Sequence, residues 1–229
     1  MQPYTFPYIG YMNLVWASDI FVLYDDVNFS KKGWINRNKI LSNKKAYRFS
    51  IPLEGISQNK LIKDLFTYDL SHFKKNFIKQ IECAYKNAKF FNNGLEYVRS
   101  TISEENSSIS DIAEKSIKNF FEIVGVEKQF LKSSSCFSET KELNRVDRLI
   151  IITKMLNSHN YVNPVGGEQL YSKEYFSSKN INLFFLNPIM KEYRQCGNKH
   201  FIPKLSVIDL IMNLSPAEIM SHIKSYKLI

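Results

Sequence analysis

Cysteine is scarce in this chain and shows no pairing pattern. Cys83, Cys136 and Cys196 are three in number and lack any Cys-x-x-Cys spacing, which excludes a disulfide framework and a zinc knuckle and points to a reducing compartment. No apolar run approaches the ~18 residues needed to cross a bilayer, and Gln2, Pro3, Tyr4 and Gly10 interrupt the opening segment where a secretory signal would carry its apolar stretch. A cytoplasmic protein without a membrane span is expected. Internal repeats, low-complexity tracts and a clear linker are also lacking; EENSS at 104–108 is the one stretch that reads as flexible. A single domain over residues 1–229 follows. The formal charge of +9 favours anionic partners, yet no concentrated basic run is present, which weighs against a nucleic-acid-binding arm.

What is present is a packed-core composition: 229 residues, 44% hydrophobic and 14% aromatic, enough for one sizeable domain. Apolar and β-branched runs of strand length alternate with segments of helical period. Residues 1–6 read as a first strand, Tyr11–Ala17 as a helix and Asp19–Tyr24 as a strand, giving a compressed βαβ unit. Ala46–Leu53 is a further strand; residues 71–87, capped by Ser71, and 107–125, closed by Gly125, are helices. A strand near 128–133, a helix over 141–157, the strand Tyr161–Val162, a turn at Gly166–Gly167, a helix over 168–178, a strand over 181–186 and a helical section from Ser206 complete the pattern. The expected fold is α/β, a three-layer domain with a mainly parallel sheet covered on both faces. Parallel sheets place ligands at the carboxyl ends of strands, so Thr5–Tyr11 and Asp25–Phe29 are expected at one rim.

Several residue groups at that rim could carry chemistry. Asp25 and Asp26 end a strand, where alternation turns them to opposite sides and leaves one as a base or an orienter of an amine. Trp34 is suited to stacking on a sugar or base, and the Asn36 and Asn38 amides to reading hydroxyls. Arg37 with Lys32 or Lys39 is suited to holding a diphosphate. Tyr4, Tyr8 and Tyr11 crowd the turn before the first helix. Farther along, Cys136 follows three serines and is a weaker nucleophile candidate. Tyr193 and Gln195 precede His200, a candidate base. His72, His159 and His222 read as helix-surface or helix-end residues, and Ser206 with Asp209 as a capping-box-like pair. The residues suggest no metal site.

Two resemblances bear on function. PYIGYMNL followed by ASDIFVLYDDV is similar in layout to the start of pantothenate synthetase and its nucleotidylyltransferase relatives, with a Rossmann-like fold. Tyr8 and Tyr11 stand where that family has two histidines, so adenylation chemistry is not expected. Over nearly the whole chain the sequence resembles the WbqC-like family, through QPYTFPYIGYMNLV, DIFVLYDDVNFSKKGWINRNKI, YVNPVGGEQLY, YRQ and FIPKLSVIDLI. That resemblance implies a place in O-antigen or other surface-polysaccharide biosynthesis and the attachment of a glycyl or other acyl group to an amino sugar.

The expected activity is therefore an N-acyltransferase acting on the amine of a nucleotide-linked amino sugar. Its donor would be a carrier-protein thioester, an aminoacyl-tRNA or an acyl-CoA, with no tightly bound cofactor. A nucleotidyl- or adenylate-forming enzyme and a non-catalytic nucleotide-sugar-binding module are the alternatives.

Overall fold

The computed structural model describes residues 1–103 and 106–229. The helices are α1 (Ile9–Ala17), α2 (Leu70–Tyr85), α3 (Phe91–Thr101), α4 (Ile109–Ile123), the single turn α5 (Ser133–Cys136), α6 (Arg145–Met155), α7 (Lys173–Ser178), α8 (Val207–Asn213) and α9 (Pro216–Ile223). The strands are β1 (Ile20–Leu23), β2 (Arg37–Ser42), β3 (Lys45–Ser50), β4 (Gln129–Lys132), β5 (Asn160–Pro164), β6 (Asn182–Pro188) and β7 (Tyr226–Leu228).

The fold is mixed α/β, and its strands fall into three small sheets among the described residues. β1 pairs in parallel with β4, β5 in parallel with β6, and β7 runs antiparallel on the far side of β6. The third sheet is the antiparallel hairpin β2–β3. Its two-residue loop places both Asn43 and Lys44 at positive φ (49° and 62°), the backbone of a type I′ turn, whose twist matches that of the flanking strands.

Residues 1–6 do not form the expected strand. Only Met1 makes parallel-ladder bonds, donating its N–H to the Val22 carbonyl (2.8 Å) and accepting from the Tyr24 N–H (2.8 Å). The chain then bends away to serve other partners. A second difference concerns Arg37–Lys39, which the sequence pattern assigns to no strand and which lie in β2. The alternating half-buried and buried positions of β2 are the period-2 signature of a strand, masked in the sequence because Asn36 and Asn38 are polar on the buried side.

The helical side packs as its sequence dictates. α4 is capped by Ser108, whose Oγ accepts the Asp111 N–H, and buries Ile109, Ile112, Ile117, Phe120 and Phe121 on one stripe. α2 begins at Leu70, one residue before the expected start at residue 71, with Asp69 rather than Ser71 at its N-cap. Of the expected flexible stretch, Glu104 and Glu105 lie outside the described residues, while the Ser107 carbonyl accepts the Thr67 N–H. The sequence reading missed α3, because Asn92-Asn93-Gly94 looks like a turn. A Cβ on Gly94 would lie 2.4 Å from the Met212 sulfur, so the glycine is what lets α3 approach α8. Gly94→Ala is expected to cost about 1–3 kcal/mol from overpacking, readable as a lower Tm; an unchanged Tm would show that this contact yields freely.

The main core gathers α1–α4, α8, α9 and the inner sides of β1 and β2. A second, smaller cluster of Leu149, Ile150, Phe176, Ile181, Leu183 and Phe185 lies under β5 and β6. No helix among the described residues is long and apolar enough to cross a membrane.

Candidate functional site

The aromatic turn is fixed by strain and by long-range hydrogen bonds. Phe6 has φ +47°, a left-handed backbone that a bulky residue adopts only when its surroundings force it. Those surroundings are specific: the Phe6 N–H donates to Ser116 Oγ (3.1 Å), and the Phe6 carbonyl accepts from Asn38 Nδ2 (2.6 Å) and Ser206 Oγ (2.8 Å). The Thr5 N–H donates to the Ile35 carbonyl (3.0 Å), so the turn lies against the start of the hairpin. Asn38→Ala would remove one of these ties from a buried carbonyl and is expected to destabilise the fold by ~1–3 kcal/mol. Chemical denaturation checks this; a loss below a few tenths would mean that Ser206 holds the turn alone.

Three of the expected binding residues thereby become framework. Asn38 is spent on Phe6, and Asn36 Nδ2 donates to the Ile51 carbonyl (2.8 Å); both amides are buried and tie backbone to backbone. Tyr11 is buried, and its hydroxyl donates to the Gln2 carbonyl (2.9 Å). Tyr4 and Tyr8 stay half-buried at the rim, and the Tyr4 ring lies 5.5 Å from that of Tyr11. Burial raises the pKa of all three phenols, so they remain neutral donors at physiological pH. Gly10 exists for Tyr8: a Cβ there would come within 2.4 Å of its ring.

Beside this turn stands a cationic platform. Trp34 is 41% exposed, and Lys39 Nζ lies 5.3 Å from its ring centroid, a cation–π pair. Ser206 joins the two parts, since it forms a bridge with Tyr8 and donates its N–H to the Lys39 carbonyl (2.8 Å). Arg37 hydrogen-bonds the Lys31 carbonyl through Nη2, while its buried Nε has no hydrogen-bond partner among the described residues. Lys31 and Lys32 are exposed at the same loop.

Asp25 and Asp26 do something other than expected. β1 ends at Leu23, so strand alternation no longer governs the pair, and both carboxylates turn to the serine run after β4. Ser133 Oγ lies 2.5 Å from Asp26 Oδ1 and 3.3 Å from Asp25 Oδ1. Asp25 also accepts the Ser134 N–H (3.0 Å) and hydroxyl (2.9 Å). Arg148 of α6 closes the cluster by donating Nη2 to Asp26 Oδ2 (2.6 Å) and Nε to Thr140 Oγ1 (2.9 Å), with its guanidinium 4.6 Å from the Tyr24 ring. Burial pushes the Asp26 carboxyl up, but hydrogen bonds from Arg148 and Ser133 and the Arg148 charge outweigh it and hold it below its usual value. A buried carboxylate held ionised in this way is a strut between β1, α5 and α6 and a weak proton acceptor.

The remaining candidates separate. Cys136 is exposed at the end of α5, with its sulfur 3.7 Å from Ser135 Oγ. His200 is exposed. Tyr193 and Gln195 face inward instead: the Tyr193 hydroxyl (2.5 Å) and Gln195 Nε2 (3.0 Å) both donate to Asp209 Oδ2, while the Tyr85 hydroxyl donates to Oδ1 (2.9 Å). Asp209 therefore takes no part in a capping box with Ser206, whose Oγ accepts the Ile208 N–H; the capping box is at Ser215 and Glu218. His222 lies in the last turn of α9, at a helix end as expected, but is buried with its ring edge-on to Tyr193 at 5.4 Å. Gly166 and Gly167 lie in a 3₁₀ turn, with Gly167 beneath the Asn163 amide. Among the described residues no three His, Cys, Asp or Glu side chains group to hold a metal ion.

Arg148, Thr140 and Tyr85 were not singled out by the sequence. Arg148 leaves one weak signal, a charge on the apolar side of α6 beside Leu149 and Ile152.

An uncharacterised protein of Mycobacterium tuberculosis, Rv1507c, is 21% identical over 218 residues, covering 93% of this chain and 92% of that protein. No solved structure matches. The blocks that build the rim and the strut lie within residues 2–221, the span matched by the family model, and the chain belongs to the WbqC-like protein family.

Proposed function

We propose that the chain is an N-acyltransferase that moves a glycyl or other aminoacyl group onto the amine of a nucleotide-linked amino sugar during surface-polysaccharide (O-antigen) assembly. The observation that supports it is the rim itself: half-buried Tyr4 and Tyr8 beside the Trp34–Lys39 pair, with Arg37, Lys31 and Lys32 adjoining. Stacking on Trp34 suits a base or sugar ring. The Arg37 Nε, without a partner among the described residues, and the lysines suit a diphosphate. Neutral phenols on Tyr4 and Tyr8 suit sugar hydroxyls or the oxyanion that forms at the acyl carbon.

In this reading the amine attacks the carbonyl carbon of the donor ester or thioester, a C–N bond forms, and the C–O or C–S bond breaks. The activated donor is a carrier-protein thioester, an aminoacyl-tRNA or an acyl-CoA, all anionic and matched to the +9 charge. Asp25 and Asp26 serve as a structural strut, and the amine's proton passes to solvent at the open rim. The protein's main contribution is then positioning.

Trp34→Ala and Arg37→Ala test this in a reconstituted transfer assay. The expected result is a KM for the nucleotide amino sugar raised ~5–100-fold with kcat changed much less, the signature of lost ground-state binding. Full transfer at unchanged KM in both variants would overturn the site.

A further inference from the structure

β1 and β5 are both edge strands among the described residues: β1 pairs on one side with β4, and β5 on one side with β6. Their unpaired edges line the same cavity, of about 590 Å³, with Ile20, Phe21 and Val22 on one wall and residues 160–164 on the other. Helix α1 closes one face of this slot through Leu14 and Ala17, and α6 the other through Leu149 and Ile152, with Leu156 at its C-cap. A gap bounded by the free edges of two parallel strand pairs and roofed by a helix on each side has the shape of a missing central strand.

The backbone phase agrees. In a strand, residues two apart turn their N–H and C=O groups to the same side. The Val22 carbonyl and the Tyr24 N–H already bond Met1, so Ile20, in the same phase, presents its backbone to the slot. Met1 sits beside Leu23 in parallel register, and an extended backbone continued on its amino side would run past Val22, Phe21 and Ile20 in turn, along the slot's own lining.

We propose that the slot seats one further strand of about four residues, parallel to β1 and β5 and supplied by residues joined ahead of Met1. Its side chains would alternate between the α1 face, with Leu14 and Ala17, and the α6 face, with Leu149, Ile152 and the hydroxyl of Thr153, so the segment is a β-branched or aliphatic run without proline. With it in place the order becomes β4, β1, the added strand, β5, β6, β7, and two of the three separate sheets become one. Its carboxyl end leads directly into Gln2–Tyr8 and so carries the aromatic turn.

The test joins Val-Ile-Val-Ile ahead of Met1 and compares this protein with the parent chain and with a Gly-Pro-Gly-Pro extension of the same length. The expected result is a Tm raised by roughly 5 °C or more, and at least tenfold slower hydrogen exchange at the slot-facing amides of Ile20, Val22, Asn160 and Val162, in the aliphatic extension alone. Should the aliphatic extension aggregate, an equimolar free peptide of that sequence added to the parent chain replaces it, with the same amides read. Unchanged exchange at these amides, or equal protection from the proline control, would overturn the proposal.

Discussion

Replacing Arg148 by methionine should destabilise the protein by about 3–5 kcal/mol, the cost of leaving one member of a buried ion pair without its partner. The side chains of Arg148 and Asp26 are each only 3% exposed, so water cannot take over the lost bonds. The damage would extend beyond the pair, because Arg148 also holds Thr140 and stacks on Tyr24. The pH dependence identifies the cause. Burial alone would raise the Asp26 pKa, and Arg148 and Ser133 pull it below the usual carboxylate value. A depressed folded-state pKa gives stability that is fully present above the unfolded value, about 3.9, and is lost as pH falls through the folded value. Without Arg148 burial dominates, the Asp26 pKa rises, and the sign reverses. The variant's deficit should therefore be largest near neutrality and shrink as pH falls towards 4. Asp26→Asn combined with Arg148→Met should recover part of the loss. Urea denaturation across that pH range reads all three outcomes; a deficit under 1 kcal/mol, or one independent of pH, would mean that the strut carries little of the fold.

Asp209→Ala is expected to be comparably severe. Its carboxylate is fully buried and accepts from Tyr85, Tyr193 and Gln195. Removing it orphans three donors at ~1–3 kcal/mol each in the absence of rearrangement, and a loss of at least 3 kcal/mol follows. Tyr85 also accepts the Leu41 N–H (2.8 Å), so β2 loosens with it. The sign of the pH effect is opposite to that of Asp26. Burial raises the Asp209 pKa, only partly offset by the hydrogen bonds from Tyr193, Tyr85 and Gln195. A raised folded-state pKa gives stability that is fully present below the unfolded value and lost as pH rises through the folded one. Asp209→Asn, which keeps the shape and never ionises, should lose less than the alanine variant and show a flatter profile from pH 4 to 7. Equal losses for Asn and Ala, with unaltered pH profiles, would contradict a titrating carboxylate with a raised pKa at this position.

The parts of the fold that could be read from sequence are those that local chemistry specifies. α4 carries its cap at Ser108 and its stripe of isoleucine and phenylalanine within one window, and β1, β4, β5 and β6 are short apolar runs. Legibility failed where a residue's reason lies far along the chain. Gly94 answers to Met212, Asn38 to Phe6, and Asp25 and Asp26 to Ser133, more than a hundred residues away. Such pairings leave no period in the sequence. The densest polar motif, Asn36–Asn38, looked like a reader of ligand and proved to be mostly framework, whereas Trp34 and Lys39, which flank it, remain at the surface. Residues 1–6 had strand composition, but a strand forms only where an edge accepts it, and this segment spends its bonds on Ser116, Ile35 and Asn38.

Titration calorimetry with uridine- and thymidine-diphosphate amino sugars, their N-acylated forms and ATP, on the parent protein and on Trp34→Ala, tests most directly whether the rim between Tyr8 and Trp34 takes the acceptor. The predicted result is binding of a free-amine nucleotide sugar, weaker binding of its acylated form, and a ~5–100-fold weaker Kd in the variant. Binding of ATP alone, or binding of the amino sugar that is indifferent to Trp34→Ala, would contradict it.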